Sequence, residues 1–204
     1  MGRDRGREKN TETYTKTIDS TNQKYRENFD NIRIAIHNIN GLKNNWYRLQ
    51  ELLDFGEEKD FNIIGIVETN IKETEAKYSE VQSQRYKSWW ASAEEGKLKG
   101  SGVGILIDKK WTEHLTEIQK PNAYSIRATF SFRKTMIVVW IVYLPPNDKR
   151  MQSEIQRRVV KDISNRKGNT HYIVGGDFNR ITDPDMDTTN SQSRGRKSQL
   201  PLIK

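Results

Sequence analysis

Two apolar segments separated by a helical stretch constrain this chain more than any other feature. In Asn31-Ile32-Arg33-Ile34-Ala35-Ile36-His37, isoleucine recurs at every second position, the period of a strand with one buried face. Leu42, Trp46, Leu49 and Leu53 then fall at helical spacing, with Asn44 or Asn45 as the expected cap and Gly56 as the expected stop. Phe61-Asn62-Ile63-Ile64-Gly65-Ile66-Val67 is nearly continuous apolar sequence, as in a strand covered on both faces. The opening is therefore β-α-β. A right-handed crossover makes its two strands parallel, which commits the domain to an α/β plan.

Further on, Tyr86–Ser92, Val103–Ile107, Tyr124–Phe132 and Met136–Leu144 read as strands. The last two flank Arg133-Lys134-Thr135 and predict an antiparallel hairpin, stopped by Pro145-Pro146-Asn147-Asp148. Met151, Ile155, Val159 and Ile163 stand at every fourth position and predict a helix whose outer face carries Arg157, Arg158 and Lys161. His171-Tyr172-Ile173-Val174 predicts one more strand, running into Gly175-Gly176-Asp177-Phe178-Asn179. Residues 1–30 hold 13 charged side chains and almost no apolar ones, so they are expected to be a disordered leader. The folded domain is expected over 31–182, followed by a polar tail over 183–204 that ends on Leu200-Pro201-Leu202-Ile203-Lys204.

Composition removes several classes of function. The chain has no cysteine, which excludes a disulfide framework, a thiolate nucleophile and zinc-finger or iron–sulfur ligation. His37, His114 and His171 are its three histidines, so a three-histidine metal cage would consume them all. No stretch approaches the roughly 20 apolar residues of a membrane span, and no apolar core follows the basic N-terminus as a secretory signal requires. These features predict an intracellular protein. Arg194-Gly195-Arg196-Lys197 is either a nuclear signal, a nucleic-acid contact or a solvated tail.

The net charge of +8 is unevenly spread. Residues 31–83 carry net −3, whereas 127–168 carry 10 basic side chains against 3 acidic ones. Concentrated positive charge attracts phosphates and releases their counterions, which makes a nucleic acid the expected partner and Arg127, Arg157, Arg158 and Lys161 the expected contacts. A solvated basic face would have the same composition.

Chemistry-bearing residues collect where strands are predicted to end: Asn38 and Asn40 after the first, Glu68 after the second, Tyr143 with Asn147 after the hairpin, and Asp177 with Asn179 after the last. Ligands gather at the carboxyl ends of strands in open α/β sheets. Carboxylates plus amides suit a hard cation and a phosphate together. Singly, each has a bland alternative: Asn38, Asn40 and Gly41 suit any turn, Glu68 could end a strand in solvent, and Gly175-Gly176-Asp177 could be only a tight turn.

In order and spacing, His37-Asn38-Ile39-Asn40-Gly41-Leu42, Val67-Glu68-Thr69, Val142-Tyr143-Leu144-Pro145-Pro146-Asn147 and Gly175-Gly176-Asp177-Phe178-Asn179 resemble the endonuclease/exonuclease/phosphatase superfamily. They are most similar to the apurinic/apyrimidinic-type endonuclease domains of non-LTR retrotransposons. The resemblance spans roughly residues 31–181. It implies a DNase I-like four-layer sandwich: two packed mixed β-sheets flanked by helices. It further implies Mg²⁺ (or Mn²⁺) as cofactor and DNA as substrate. By the same resemblance Glu68 is a metal ligand, and Asn40, standing where apurinic endonucleases commonly have Asp, contacts the metal through water. Asn38 helps to fix the metal–phosphate site and Tyr143 contacts the scissile phosphate. Asp177 orients or deprotonates the attacking water, and Asn179 donates to the developing oxyanion.

The family closes its site with a Ser-Asp-His segment, and the 25 residues after Asn179 contain no histidine. The expectation is a fold incomplete at its C-terminus, with unpaired strand edges and weak or no turnover. The rival functions are a non-catalytic nucleic-acid-binding remnant, or a superfamily phosphatase or deadenylase acting on inositol phosphates or poly(A). Gly100-Ser101-Gly102-Val103-Gly104 is not a dinucleotide fingerprint, because a strand follows it; its glycines are expected to permit a close crossing. Of Trp89 and Trp90, alternation places at least one ring in the core.

Overall fold

The computed structural model of the chain describes residues 32–76, 83–96 and 99–179; the expected leader and tail lie outside the described residues. The predicted β-α-β opening forms β1 (Ile34–Asn38), α1 (Tyr47–Glu58) and β2 (Ile63–Val67), and β1 pairs with β2 in parallel. A short helix α2 (Glu73–Ala76) precedes β3 (Tyr86–Ala91) and β4 (Val103–Asp108). These strands build one sheet in the order β1-β2-β4-β3, in which β2–β4 and β4–β3 are antiparallel.

The second sheet contains β5 (Leu115–Asn122), β6 (Ser125–Phe132), β7 (Thr135–Tyr143) and β8 (Thr170–Asp177), in that spatial order. The β6–β7 pair is the predicted hairpin, and β7–β8 is again parallel, bridged by α3 (Lys149–Ser164). β5 is absent from the sequence-based expectation. Its residues, LTEIQKPN, are mostly polar and include Pro121, so neither alternation nor an apolar run marks it. That composition suits the edge position it occupies, and two register shifts interrupt its pairing with β6.

The inner faces of the two sheets meet in one core. Ile63, Val67, Ile105 and Ile107 come from the first sheet, with Ile126, Ala128, Val139 and Ile141 from the second. A separate cluster packs Leu49 and Leu53 of α1 on Ile64, Ile66, Trp90 and Leu106, covering the outer face of the first sheet. Trp90 is therefore a core residue, and its ring lies over Gly104, where a Cβ would come within 2.6 Å of the indole; the close crossing expected of these glycines occurs here. On the outer face of the second sheet, α3 buries Ile155 and Val159, and Asp148 caps the helix by accepting from the Met151 N–H at 2.9 Å.

Gly56 departs from the expected helix stop. It lies inside α1, which continues to Glu58, and it is buried: a Cβ would stand 2.5 Å from Ile64 Cδ1. Glycine here lets the helix approach the sheet, and the turn falls later, at Asp60 with φ 56°. Neither Asn44 nor Asn45 caps α1; its N-cap is Trp46, which makes no side-chain cap bond. No helix among the described residues is long and apolar enough to cross a membrane.

Tyr86 ties β3 to the loop after α1 through its hydroxyl, which donates to the Phe61 carbonyl at 2.8 Å. Burial, above all, pushes this phenol up from 10.0 to about 12. As pH rises the unfolded chain gives up this proton first, so the contribution is intact below pH 10 and is lost between 10 and about 12. Over that interval Tyr86 should steepen the loss of stability by up to about 1.4 kcal/mol per pH unit. Urea unfolding from pH 8 to 12 should show a shallower fall for Tyr86→Phe than for the parent chain. Equal slopes would refute the assignment.

Candidate active site

Two parallel strand pairs, one in each sheet, determine where the polar residues meet. Because β1 and β2 run together, Asn38 lies opposite Val67 and Glu68 follows at the same end. Because β7 and β8 run together, Tyr143 lies opposite Asp177. The sheets pack so that β1 touches β8: a Cβ on Gly175 would come within 2.1 Å of Ile36 Cδ1. Gly176 sits equally close to β7, where a Cβ would overlap the Val142 carbonyl at 1.7 Å. The paired glycines thus serve the close approach of backbone, and the carboxylate that follows them is brought over the first sheet.

Asn38 joins the two halves. Its Nδ2 donates to Glu68 Oε1 at 2.9 Å and to Asp177 Oδ2 at 2.9 Å, so one amide bridges carboxylates 109 positions apart in sequence. Its Oδ1 accepts the Asn40 backbone N–H at 3.0 Å, which fixes the amide's orientation. Tyr143 is buried, and Glu68, Asn179 and Asp177 are the side chains that act on its hydroxyl. Burial first, then the hydrogen bond to Glu68 and its charge, hold this phenol well above the usual range, so it is a protonated donor at neutral pH. The Asp177 Oδ1 accepts the Asn179 backbone N–H at 2.9 Å, and the Asn179 side chain donates to the Leu144 carbonyl at 2.9 Å.

The structure therefore gathers Asn38, Glu68, Tyr143, Asp177 and Asn179 at one end of the packed sheets. Asn40 belongs to the same loop with φ 49°, but among the described residues no hydrogen bond joins its side chain to either carboxylate. Asn147 is exposed in the turn before α3. Among the described residues no hydrogen bond ties a histidine to Glu68 or Asp177, and no cluster of three His, Cys, Asp or Glu side chains forms. The donor set is instead two carboxylates, with amides and a phenol around them.

The expected nucleic-acid contacts divide into two groups. Arg157, Arg158 and Lys161 are exposed on α3, with Arg158 3.5 Å from Glu154. Arg127 is not free in this way. Its guanidinium meets Asp162 at 2.7 Å and Glu117 at 2.8 Å, with the side chain 11% exposed, and Trp140 donates to the same Asp162 oxygen at 2.9 Å. This network fastens α3 to the sheet.

Sequence reasoning passed over Arg48, whose guanidinium reaches back from α1 to the carbonyls of Ile39 at 3.1 Å and Asn40 at 3.2 Å and braces the Asn38 loop. It also passed over Tyr124, which lies parallel to Tyr143 with ring centroids 6.3 Å apart and donates its hydroxyl to Glu94. The second member of each pair lies far along the chain or across a turn, so no local pattern announces it.

Two face-to-face mixed sheets, helices outside and a polar cluster at the ends of two parallel pairs constitute a DNase I-like fold, the architecture that the sequence motifs imply. Solved structures share this fold. D. rerio TDP2, complexed with a single-stranded DNA product, matches with TM-score 0.53 and 16% identity, over 76% of this chain and 62% of TDP2. The endonuclease domain of TRAS1, a telomere-specific non-LTR retrotransposon, matches with TM-score 0.52 and 19% identity, over 74% of this chain and 62% of that domain. The AP endonuclease LMAP from Leishmania major matches with TM-score 0.55 and 12% identity, over 71% and 54% of the two chains. The matched region thus spans less than two thirds of each of these proteins. No family model and no curated protein matches the sequence.

Replacing Asn38 by Asp would remove the bridging donor and bring a third carboxylate against Glu68 and Asp177. Loss of a bridging hydrogen bond of this kind costs about 1–3 kcal/mol, and the added repulsion acts in the same direction. Thermal melting of Asn38→Asp should fall below that of the parent in chelator. A variant melting with the parent in chelator would show that the bridge is not formed.

Proposed function

We propose that this chain carries the metal- and phosphate-holding site of a Mg²⁺-dependent phosphodiester hydrolase acting on DNA, of the endonuclease type found in non-LTR retrotransposons. The observation that carries this reading is the Asn38 amide joining Glu68 of one sheet to Asp177 of the other. One or two carboxylates with several waters retained is the usual protein contribution to a Mg²⁺ site, and Glu68 with Asp177 fits it. Mg²⁺ or Mn²⁺ bound there would supply Lewis-acid polarisation of a phosphoryl oxygen.

The side chains divide the remaining work. Asn38 holds the two carboxylates at a fixed spacing. Asp177 orients a water for in-line attack and accepts its proton at the carboxylate. Tyr143, a protonated donor, hydrogen-bonds a phosphate oxygen, and Asn179 stabilises charge developing on the phosphoryl group. Asn40 meets the cation only through water.

Retroelement origin is supported by the order of the four motifs and by the TRAS1 endonuclease among the shared folds. DNA is favoured over a small phosphoester by the basic surplus of residues 127–168 and by the exposed row Arg157, Arg158 and Lys161. A nucleic-acid-binding remnant is the second reading, favoured by the same basic row.

Plasmid nicking in Mg²⁺ should be detectable but weak, and absent in Glu68→Gln and Asp177→Asn. Nicking that persists in both variants would sink the assignment. No nicking, together with DNA binding unaffected by these substitutions, would select the second reading. DNA affinity should fall steeply with salt. Charge reversal at Arg157, Arg158 and Lys161 should flatten the log–log slope by about 0.9 for each phosphate no longer neutralised. An unchanged slope would mean that this face of α3 is only solvated.

A further inference from the structure

Glu68 occupies a backbone conformation that its side chain does not favour, with φ 55°. Its carbonyl accepts from the Gly41 N–H at 2.8 Å, and the segment that follows, Thr69-Asn70, anchors the loop to the Ser101-Gly102 turn, a role the phosphodiesterase reading does not use. We propose that Asn70 is a positioning residue for Glu68, a proposal that rests on the reading of Glu68 as a metal-holding carboxylate.

Asn70 grips the turn at Ser101 from two sides. Its backbone N–H donates to the Ser101 carbonyl at 2.9 Å, and its side-chain Oδ1 accepts the Ser101 N–H at 3.2 Å. On its other flank the same side chain lies against the Asn38 loop: a Cβ on Gly41 would stand 3.3 Å from Asn70 Nδ2. Asn70 is therefore lodged between two loops, one of which carries Asn38. Its own φ of 54° is one that asparagine tolerates and most residues do not.

The neighbouring residue cannot do this work with its side chain. The Thr69 hydroxyl is fully buried and has no hydrogen-bond partner among the described residues. Thr69 contributes only backbone: its N–H donates to the Gly102 carbonyl at 3.1 Å, and its carbonyl accepts from Leu42 at 2.9 Å. Gly102 is required there, since φ is 85° and a Cβ would come within 2.3 Å of the Thr69 hydroxyl. The Asn70 amide is thus the side chain that locks the Ser101-Gly102 turn against the Glu68 loop.

From that turn the connection continues to the other half of the site. The Gly102 N–H donates to the Ala123 carbonyl at 2.8 Å, and the Tyr143 N–H donates to the Tyr124 carbonyl at 2.9 Å. A loosened Asn70 would therefore shift Glu68 directly and Tyr143 through the same backbone path. Residues that orient a metal ligand without touching the metal typically control affinity by about 10-fold or more.

Mn²⁺ binding followed by electron paramagnetic resonance tests this on the full chain, at high salt to screen added charge. Asn70→Gly keeps the left-handed backbone and removes the amide, whereas Asn70→Asp keeps an oxygen for the Ser101 N–H. The proposal expects Mn²⁺ affinity to fall about 10-fold in Asn70→Gly and to return near the parent value in Asn70→Asp. Parent-like affinity in Asn70→Gly overturns it. Should Asn70→Gly fail to fold, weakened binding in Asn70→Asp overturns it instead, and parent-like binding supports it. Glu68→Gln separates the two readings. If that variant binds Mn²⁺ like the parent, the metal assignment of Glu68 fails. If it loses Mn²⁺ while Asn70→Gly does not, only the role of Asn70 fails.

Discussion

The amide of Asn38 is the contact on which the arrangement of this molecule turns. Each sheet alone presents one carboxylate at the end of a parallel pair, and two such groups facing each other across a cleft repel. A side chain with two N–H donors on one nitrogen can satisfy both at once, and Asn38 does so at 2.9 Å to each. An aspartate at this position would have no donor to offer, and a leucine would leave both carboxylates without this partner. The bridge needs the sheets to pack closely at this corner, which is where Gly175 accepts the Ile36 side chain in place of a Cβ.

Around that bridge, backbone hydrogen bonds continue the connection from sheet to sheet. The Glu68 loop is bonded to Gly102, Gly102 to Ala123, Tyr124 to Tyr143, and Leu144 to Asp177, from which Asn38 leads back to Glu68. Such a circuit is costly to deform at one point without disturbing the rest, so the polar cluster is held preorganised. Arg48 adds a clamp from outside, and the parallel rings of Tyr124 and Tyr143 add one from within.

The parts of this fold that were legible in the sequence are those whose signal is local. Alternating isoleucines mark β1, a continuous apolar run marks β2, and a four-residue period marks α3, because burial on one or both faces imposes those patterns directly. That Asn38, Glu68, Asp177 and Asn179 come together was legible from four motifs standing in order at strand ends, none of which is specific alone. The illegible parts depend on partners distant in sequence. Gly56 reads as a helix stop until Ile64 and Tyr86 are placed beside it. Arg127 reads as surface charge until Glu117 and Asp162 are found around it, and β5 carries the polar composition of an edge. Asn70 has no signature at all, since its partner Ser101 lies 31 positions away.

Local rules are broken most densely where the chemistry is proposed. Asn40, Glu68, Asn70 and Asn179 all have positive φ, between 45° and 55°. Three of these are asparagine, whose short polar side chain makes the left-handed region accessible at low cost. Glu68 is the exception, and a glutamate in that region is strained by about 1–2 kcal/mol relative to an ordinary conformation. A residue chosen for folding alone would be Asn or Gly here. The carboxylate accepts from the Asn38 amide and the residue's carbonyl accepts from the Gly41 N–H, so contacts from the Asn38 loop fix the side chain in spite of the backbone preference.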